Sequence, residues 1–492
     1  LDGGPSAGRV LVAGPDFVAS PRLSPDGTQL AWLEWDDPDM PWDATRLRVA
    51  DVAVDGSIAN ARTVAGGPAE SIVQPEWAPD GDLVFASDRS GWWNLYGGGG
   101  GAARVSLAPM AAECADPAWV FGRSGYGFGP DGVMLLTARS EGWDRLHRRD
   151  PDGTVHAIET GWTELEGLRV AGELAVVVAS GPRDPAVLVR LDARSGEPAG
   201  VLATSSRLAV DPRYLPEPEA IAFPTSGGAT ARALFYRPSN PSFTAPDGAL
   251  PPLLVHSHGG PTSNASSALS FETAFWTSRG VAVVDVDYRG STGYGRAYRE
   301  ALGGSWGIVD VDDCVAAARY LVDRGDVDGA RMVITGGSAG GFTTLACLVF
   351  RPGTFAAGIS EYGVADLEAL AADTHKFEAR YLDRLVAPWP EGRDIYRARS
   401  PIHHLDRMAA PMLVLQGMED RVVPPNQAES MVAALAARGI PHAVRYFDGE
   451  GHGFRRADTK RAALEAKLSF LGQVLGFVPA DDLPPLELTG QA

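Results

Sequence analysis

The sequence predicts two units in tandem: an all-β, propeller-like array over residues 1–210 and a doubly wound, mostly parallel α/β sheet over residues 211–492. Two observations carry this expectation. In the second half, apolar strand-like runs alternate with helix-like stretches, the rhythm of a parallel sheet covered by helices on both faces. In the first half, a turn followed by a strand recurs roughly every fifty residues with a second strand in step, the sign of repeated β-blades.

In the first unit Ser24-Pro25-Asp26-Gly27 precedes residues 29–33, Ala78-Pro79-Asp80-Gly81 precedes 82–86, and Gly129-Pro130-Asp131-Gly132 precedes 133–136. Proline fixes φ, aspartate bonds to its own backbone and glycine accepts a left-handed position, so each tetrad is a turn with a mechanism. Second strands follow at 46–51, 93–96, 144–147 and 187–192. A generic β-sandwich lacks such a register, so about four blades are expected over residues 1–205. The connector is expected at 211–218, where three prolines and alternating charge break both patterns.

In the second unit, strand-like runs at 253–255, 281–287, 331–335, 412–416 and 443–447 are separated by helix-like stretches such as 311–324, 427–438 and 462–475. In such sheets active residues gather at the carboxyl ends of the strands. Ser338 sits there, in Gly336-Gly337-Ser338-Ala339-Gly340, a G-x-S-x-G turn between the apolar run Met332-Val333-Ile334 and a helix-like stretch over 342–350. A side chain at 336 or 340 would collide with the neighbouring strand or helix in so tight a turn. The elbow lifts a serine oxygen out of the backbone, where it can act as a nucleophile if a base and an orienting carboxylate follow in the order Ser, Asp, His.

Both are present. The strand 412–416 runs into Met418-Glu419-Asp420-Arg421-Val422-Val423-Pro424, which supplies Asp420 as the orienting acid, with Glu419 and Asp448 as competitors. The strand 442–447 runs into Asp448-Gly449-Glu450-Gly451-His452-Gly453-Phe454, which supplies His452 as the base. Of nine histidines, His403, His404 and His442 do not follow a strand end in a glycine-flanked loop and are read as structural. Acyl transfer also needs N–H donors for the developing oxyanion. One is expected from Ala339; the other is expected from Gly260, with Gly259 as rival, in Leu253-Leu254-Val255-His256-Ser257-His258-Gly259-Gly260-Pro261. His256 and His258 alternate along that strand as a metal pair would, but no third ligand lies at suitable spacing, so no metal is expected.

These stretches, together with Asp287-Tyr288-Arg289-Gly290-Ser291-Thr292-Gly293-Tyr294-Gly295 and Tyr362-Gly363-Val364-Ala365-Asp366, resemble the prolyl oligopeptidase family of serine peptidases over residues 215–477. The bacterial members called acylaminoacyl peptidase or dipeptidyl aminopeptidase are the nearest in character. The resemblance implies an α/β-hydrolase catalytic domain behind a β-propeller. It also implies a pocket for the residue before the scissile bond, built from 361–381. Tyr362, Val364, Phe377 and Tyr381 would give apolar walls, Trp389 would close one side, and Arg380 would hold a substrate carboxylate or pair with Glu378. Family propellers commonly have seven or eight blades. The chain begins with Leu1, and residues 1–15 resemble the tail of a blade, as a trimmed or misassigned start or a reduced propeller would leave it.

Composition bounds the partners. Lys and Arg number 43 against 62 Asp and Glu, a formal charge of −19, which argues against nucleic acid or an anionic membrane. No apolar run is long enough to span a bilayer, no charged leader with an apolar segment is visible, and three scattered cysteines fit a reduced, cytoplasmic protein. No cofactor is expected. The expected activity is serine peptidase chemistry on short peptides or on N-terminal (acyl)aminoacyl or dipeptidyl bonds. The alternatives are an amidase or esterase for a small aminoacylated metabolite, and a propeller-based binding protein with an inactive hydrolase. A partial propeller leaves strand edges unpaired, so a homo-oligomer through residues 1–205, or a smaller closed ring, is expected.

Overall fold

The computed structural model describes residues 8–98 and 104–490. Among them, four four-stranded antiparallel sheets follow one another over 17–67, 72–106, 126–158 and 164–204, each a meander in chain order. The anticipated turn and strand pairs are the two inner strands of the first three sheets, Gln29–Trp35 with Thr45–Val52, Leu83–Ser87 with Asn94–Gly97, and Met134–Ser140 with Trp143–Arg149; in the fourth sheet Val187–Asp192 was anticipated and its partner Leu174–Ser180 was not. The first turn closes as its residues require: Gly27 N–H donates to Ser24 O at 2.8 Å, Asp26 accepts from Ser24 Oγ and from the Thr28 amide, and Gly27 takes φ 72°.

The other strands missed by the sequence reading flank these pairs. Pro198–Thr204 is exposed along its whole length and Ile58–Gly67 along half of it with no residue fully buried, so neither carries a buried alternation to read. Ile72–Trp77 is largely buried, but Pro75 and a register shift between Val73 and Glu76 hide its period. Successive sheets touch in order. Trp77 Nε1 donates to Arg22 O at 3.0 Å, Tyr126 Oη to Gln74 O at 2.6 Å, and Ser124 Oγ to Leu168 O at 2.7 Å. Residues 1–7 of the stretch read as a blade tail lie outside the described residues, and 8–16 form no strand.

The second unit is one eight-stranded sheet of order β1-β2-β4-β3-β5-β6-β7-β8. The strands are β1 (Pro218–Pro224), β2 (Thr230–Tyr236), β3 (Leu253–Ser257), β4 (Ala282–Asp287), β5 (Met332–Gly337), β6 (Ala357–Glu361), β7 (Met412–Gly417) and β8 (His442–Phe447). The β1/β2 and β2/β4 pairs are antiparallel and all others parallel. Alternate residues serve opposite cores. Val255, Ile334 and Val414 pack with the helices Val309–Asp323, Ala339–Phe350 and Pro425–Ala437, whereas Leu254, Val333 and Leu413 pack with Ala457–Leu475. Burial on both faces is what makes these strands continuous apolar runs. The predicted fold class, an α/β-hydrolase sheet behind a propeller-like array, is the one observed. β1, β2 and β6 were not anticipated. We propose the boundary between the units near residue 211, in the segment between Thr204 and Pro218.

Buried charge joins the two units. Asp88, fully buried, accepts from Arg296 at 2.7 Å and Arg299 at 2.6 Å; losing it would leave the buried Arg299 without its ion-pair partner, at a cost of about 3–5 kcal/mol, while Arg296 keeps Glu300 at 2.6 Å. Glu113 accepts the amides of Trp93 (2.6 Å) and Gly295 (3.1 Å), and burial pushes its carboxyl up to about 7. Trp119 Nε1 donates to Thr262 O at 2.7 Å, tying the first unit to the loop after β3. Cys114, Cys314 and Cys347 are buried free thiols. Among the described residues no helix is long and apolar enough to cross a membrane.

Candidate active site

β5 ends where Ser338 turns the chain into the helix Ala339–Phe350, with φ 56° and ψ −120°. A non-glycine residue held there stores strain, as an elbow that projects its side chain must. The turn is possible only because its neighbours are glycines. A Cβ on Gly340 would lie 1.9 Å from Ser257 O, and one on Gly336 would lie 2.5 Å from Gly340 backbone atoms. Ser338 N–H donates to Glu361 O at 3.0 Å, so β6 holds the elbow from its other side.

Ser338 Oγ lies 2.9 Å from His452 Nε2, and His452 Nδ1 lies 2.8 Å from Asp420 Oδ2. The remaining oxygen of Asp420 accepts the Val422 and Val423 amides, each at 2.9 Å. That carboxylate is wholly buried and acceptor-only, so Nδ1 carries the proton and Nε2 is left to accept from the serine hydroxyl. Glu419 and Asp448, the competing acids, are both exposed. The ring of Tyr362 stands edge-on to His452 at 5.0 Å and to Phe454 at 5.2 Å, which fixes the plane of the imidazole.

Gly260 and Ala339 line one cavity with Ser338. Ala339 opens a helix, where the first N–H groups have no intrahelical partner, and Gly260 adopts φ 116°. The histidines of the β3 loop are used by the protein itself. His256 Nδ1 meets Asp285 at 2.8 Å; burial opposes a charge there, but Asp285 outweighs it and raises the imidazole to about 9. His258 bridges Ser291 Oγ (2.7 Å) and Gly259 O (2.8 Å), stacks on Tyr288 and is pushed by burial down to about 4. It braces the Gly259-Gly260 turn as a neutral ring.

The sequence-derived pocket is brought together in part. Val364 and Tyr381 line the cavity, and Tyr381 Oη lies 2.5 Å from Thr262 Oγ1. Tyr362 packs on the base instead of the cavity. Phe377 faces away, into a cluster with Phe17, Trp42 and Trp119. Arg380 is not among the residues that line this cavity: it pairs with Asp383, and among the described residues Glu378 faces His375 instead. Trp389 packs on Tyr396 and lines a separate surface cavity with Asp366, Glu368 and Arg393. Sequence reasoning missed Glu378 as a lining residue, together with Trp306, Leu370, Leu382, Leu385, Val422 and Val423. Leu370 and Glu378 fall within the 361–381 segment without having been singled out, and Val422 and Val423 directly follow Asp420 in its own loop.

A model of the prolyl oligopeptidase family matches residues 267–477. Dipeptidyl aminopeptidase BIII of Pseudoxanthomonas mexicana is 32% identical over 230 residues, 46% of this chain and 33% of that protein. A puromycin-hydrolyzing peptidase of Mycobacterium tuberculosis superposes with a TM-score of 0.94 at 44% identity, covering 98% of this chain and 73% of that one. The chain belongs to the prolyl oligopeptidase family. A mutant of puromycin hydrolase complexed with PGG is also 44% identical, with a TM-score of 0.91 over 96% of this chain and 71% of that one. Against the Pseudoxanthomonas relative, this family member aligns over about a third of the longer protein's length.

Proposed function

We propose that the protein is a serine peptidase that cleaves short peptides, or N-terminal (acyl)aminoacyl or dipeptidyl bonds, through an acyl-enzyme on Ser338. The observation that carries this reading is the continuous relay from Ser338 Oγ through His452 to Asp420, at 2.9 and 2.8 Å, opening into a cavity shared with Gly260 and Ala339. Ser338 Oγ attacks the carbonyl carbon as its proton passes to His452 Nε2, and buried Asp420 stabilises the imidazolium. The Gly260 and Ala339 amides receive the oxyanion, a contribution of about 3 kcal/mol per donor. His452 returns the proton to the departing amine, and water, activated by the same imidazole, releases the acyl group.

A second reading, an amidase for a small aminoacylated metabolite, is favoured by one observation: two 44% identical structures carry names that refer to puromycin, in which an amide joins an amino acid to a nucleoside. A panel of aminoacyl, acetyl-aminoacyl and dipeptidyl chromogenic amides, with simple esters and puromycin, separates the two. The peptidase reading expects dipeptidyl or longer amides to exceed puromycin in kcat/KM, and the reverse order would favour the metabolite.

Self-association through residues 1–205 is part of the same proposal. The first sheet leaves Val18 and Leu23 exposed, and the last leaves Leu174, Val178, Val201 and Leu202 exposed. Light scattering across a concentration series is expected to show a mass above one chain. A strictly monomeric particle would overturn self-association.

A further inference from the structure

Lys467, on the helix Ala457–Leu475, is an ammonium withdrawn from water, with 3% of its side chain exposed. It donates to Glu361 at 2.6 Å and to Glu272 at 2.8 Å. Burial opposes the charge on Lys467, but the two carboxylates outweigh it and hold the ammonium protonated, above its ordinary range. The two acids differ in what they could do without it. Glu272 is half exposed and can fall back on water, whereas Glu361 keeps 13% exposure and has Lys467 as its one side-chain donor among the described residues. The position of the Glu361 carboxylate is therefore set by Lys467.

Glu361 ends β6, and the residues there wrap the nucleophile turn. Its carbonyl accepts the Ser338 amide at 3.0 Å. The ring of Tyr362 covers Gly337 so closely that a Cβ there would lie 2.8 Å from it. Tyr362 itself takes φ 40°, a left-handed conformation that a bulky side chain keeps only where its surroundings hold it. On its amino side the holding groups are the Ser338 bond and the Lys467 ion pair, both made by Glu361, and its own N–H donates to Leu415 O at 2.7 Å. What this conformation delivers is a ring edge 5.0 Å from His452. One hydrogen bond to Asp420 aims the imidazole Nδ1–H but leaves the ring free to roll about that line; the Tyr362 contact stops the roll, so that Nε2 stays on Ser338 Oγ.

We propose that Lys467 is a positioning residue for the reaction: through Glu361 and the strained Tyr362 it sets the plane of the His452 imidazole. The inference rests on the Ser338 reading above and extends its machinery to the helix Ala457–Leu475, which packs on the face of the sheet opposite the nucleophile helix. Lys467 touches neither the triad nor the cavity, so its loss should appear in kcat. Misplacing the base by a fraction of an ångström weakens proton transfer in the transition state without altering the walls that bind substrate.

The test compares wild type, Lys467→Met, Tyr362→Ala and the double variant Lys467→Met/Tyr362→Ala on the chromogenic amide that wild type cleaves fastest, with the rate of fluorophosphonate labelling as a readout free of amide binding. Lys467→Met is expected to lower kcat about 10- to 100-fold with KM within about twofold, and to slow labelling in parallel. In the Tyr362→Ala background the same substitution should cost less than about threefold, because the route it acts through is already cut. Lys467→Met leaves Glu361 buried and unpaired, so a further variant, Lys467→Met/Glu361→Leu, removes both charges; its thermal midpoint should return toward that of wild type while kcat stays low. A kcat that recovers with the midpoint would make the pair a stability element alone and overturn the proposal, as would additive losses in the cycle or a loss confined to KM. A wild type that takes up no phosphonate would overturn the reading of Ser338, and the inference with it.

Discussion

Replacing Ser338 by alanine is expected to lower kcat by about six orders of magnitude, to the level that oxyanion donors and binding alone sustain. The fold should survive. The hydroxyl makes one contact of consequence, the 2.9 Å hydrogen bond to His452, and the elbow geometry is set by Gly336, Gly340 and the Ser338 amide bonded to Glu361, all of which alanine leaves in place. Loss of one such hydrogen bond costs about 1 kcal/mol, so the thermal midpoint should move little. A fluorophosphonate should label wild type once, on the peptide bearing Ser338, and the variant not at all. Retained turnover or labelling elsewhere would refute the assignment.

The elbow and its two partners were legible in the sequence because each is a local device. Gly336 and Gly340 answer to clashes within one turn, and Asp420 and His452 each follow a strand whose both-sided burial makes it a plain apolar run. The inner strands of the first three sheets were legible for a related reason, since a proline, aspartate and glycine turn announces the strand that follows it. What remained hidden depends on partners distant in the chain. β1 and β2 pair antiparallel at the edge of the sheet, and β6, with Gly358 and Ser360 in five residues, has no pattern of its own. Phe377 looked like a pocket wall until Phe17, Trp42 and Trp119 arrived from the first unit to surround it. Arg380 looked like an anion site because nothing in the sequence ranks Asp383 above Glu378 as its partner; the pairing is decided by which face of a short helical turn each side chain leaves. Glu378 lines the cavity for the same reason.

Asp420→Asn is expected to lower kcat by about three to four orders of magnitude, with KM little changed. The cause lies in the two amides that hold this side chain. One Asp420 oxygen accepts the Val422 and Val423 N–H groups at 2.9 Å, so asparagine must keep its carbonyl oxygen there and turn its NH2 toward His452. That NH2 can only donate, so it faces Nδ1 only if the imidazole moves its proton to Nε2. Nε2 then cannot accept from Ser338, and no carboxylate remains to stabilise the imidazolium. Glu419→Gln should change kcat less than about threefold, because Glu419 is exposed and meets the site only through its backbone amide, which donates to Glu450 O at 2.9 Å in either variant. Steady-state kinetics on one chromogenic amide decide between the two acids. A large loss in the Glu419 variant with a small one in the Asp420 variant would move the orienting carboxylate by one residue, against the burial that distinguishes them.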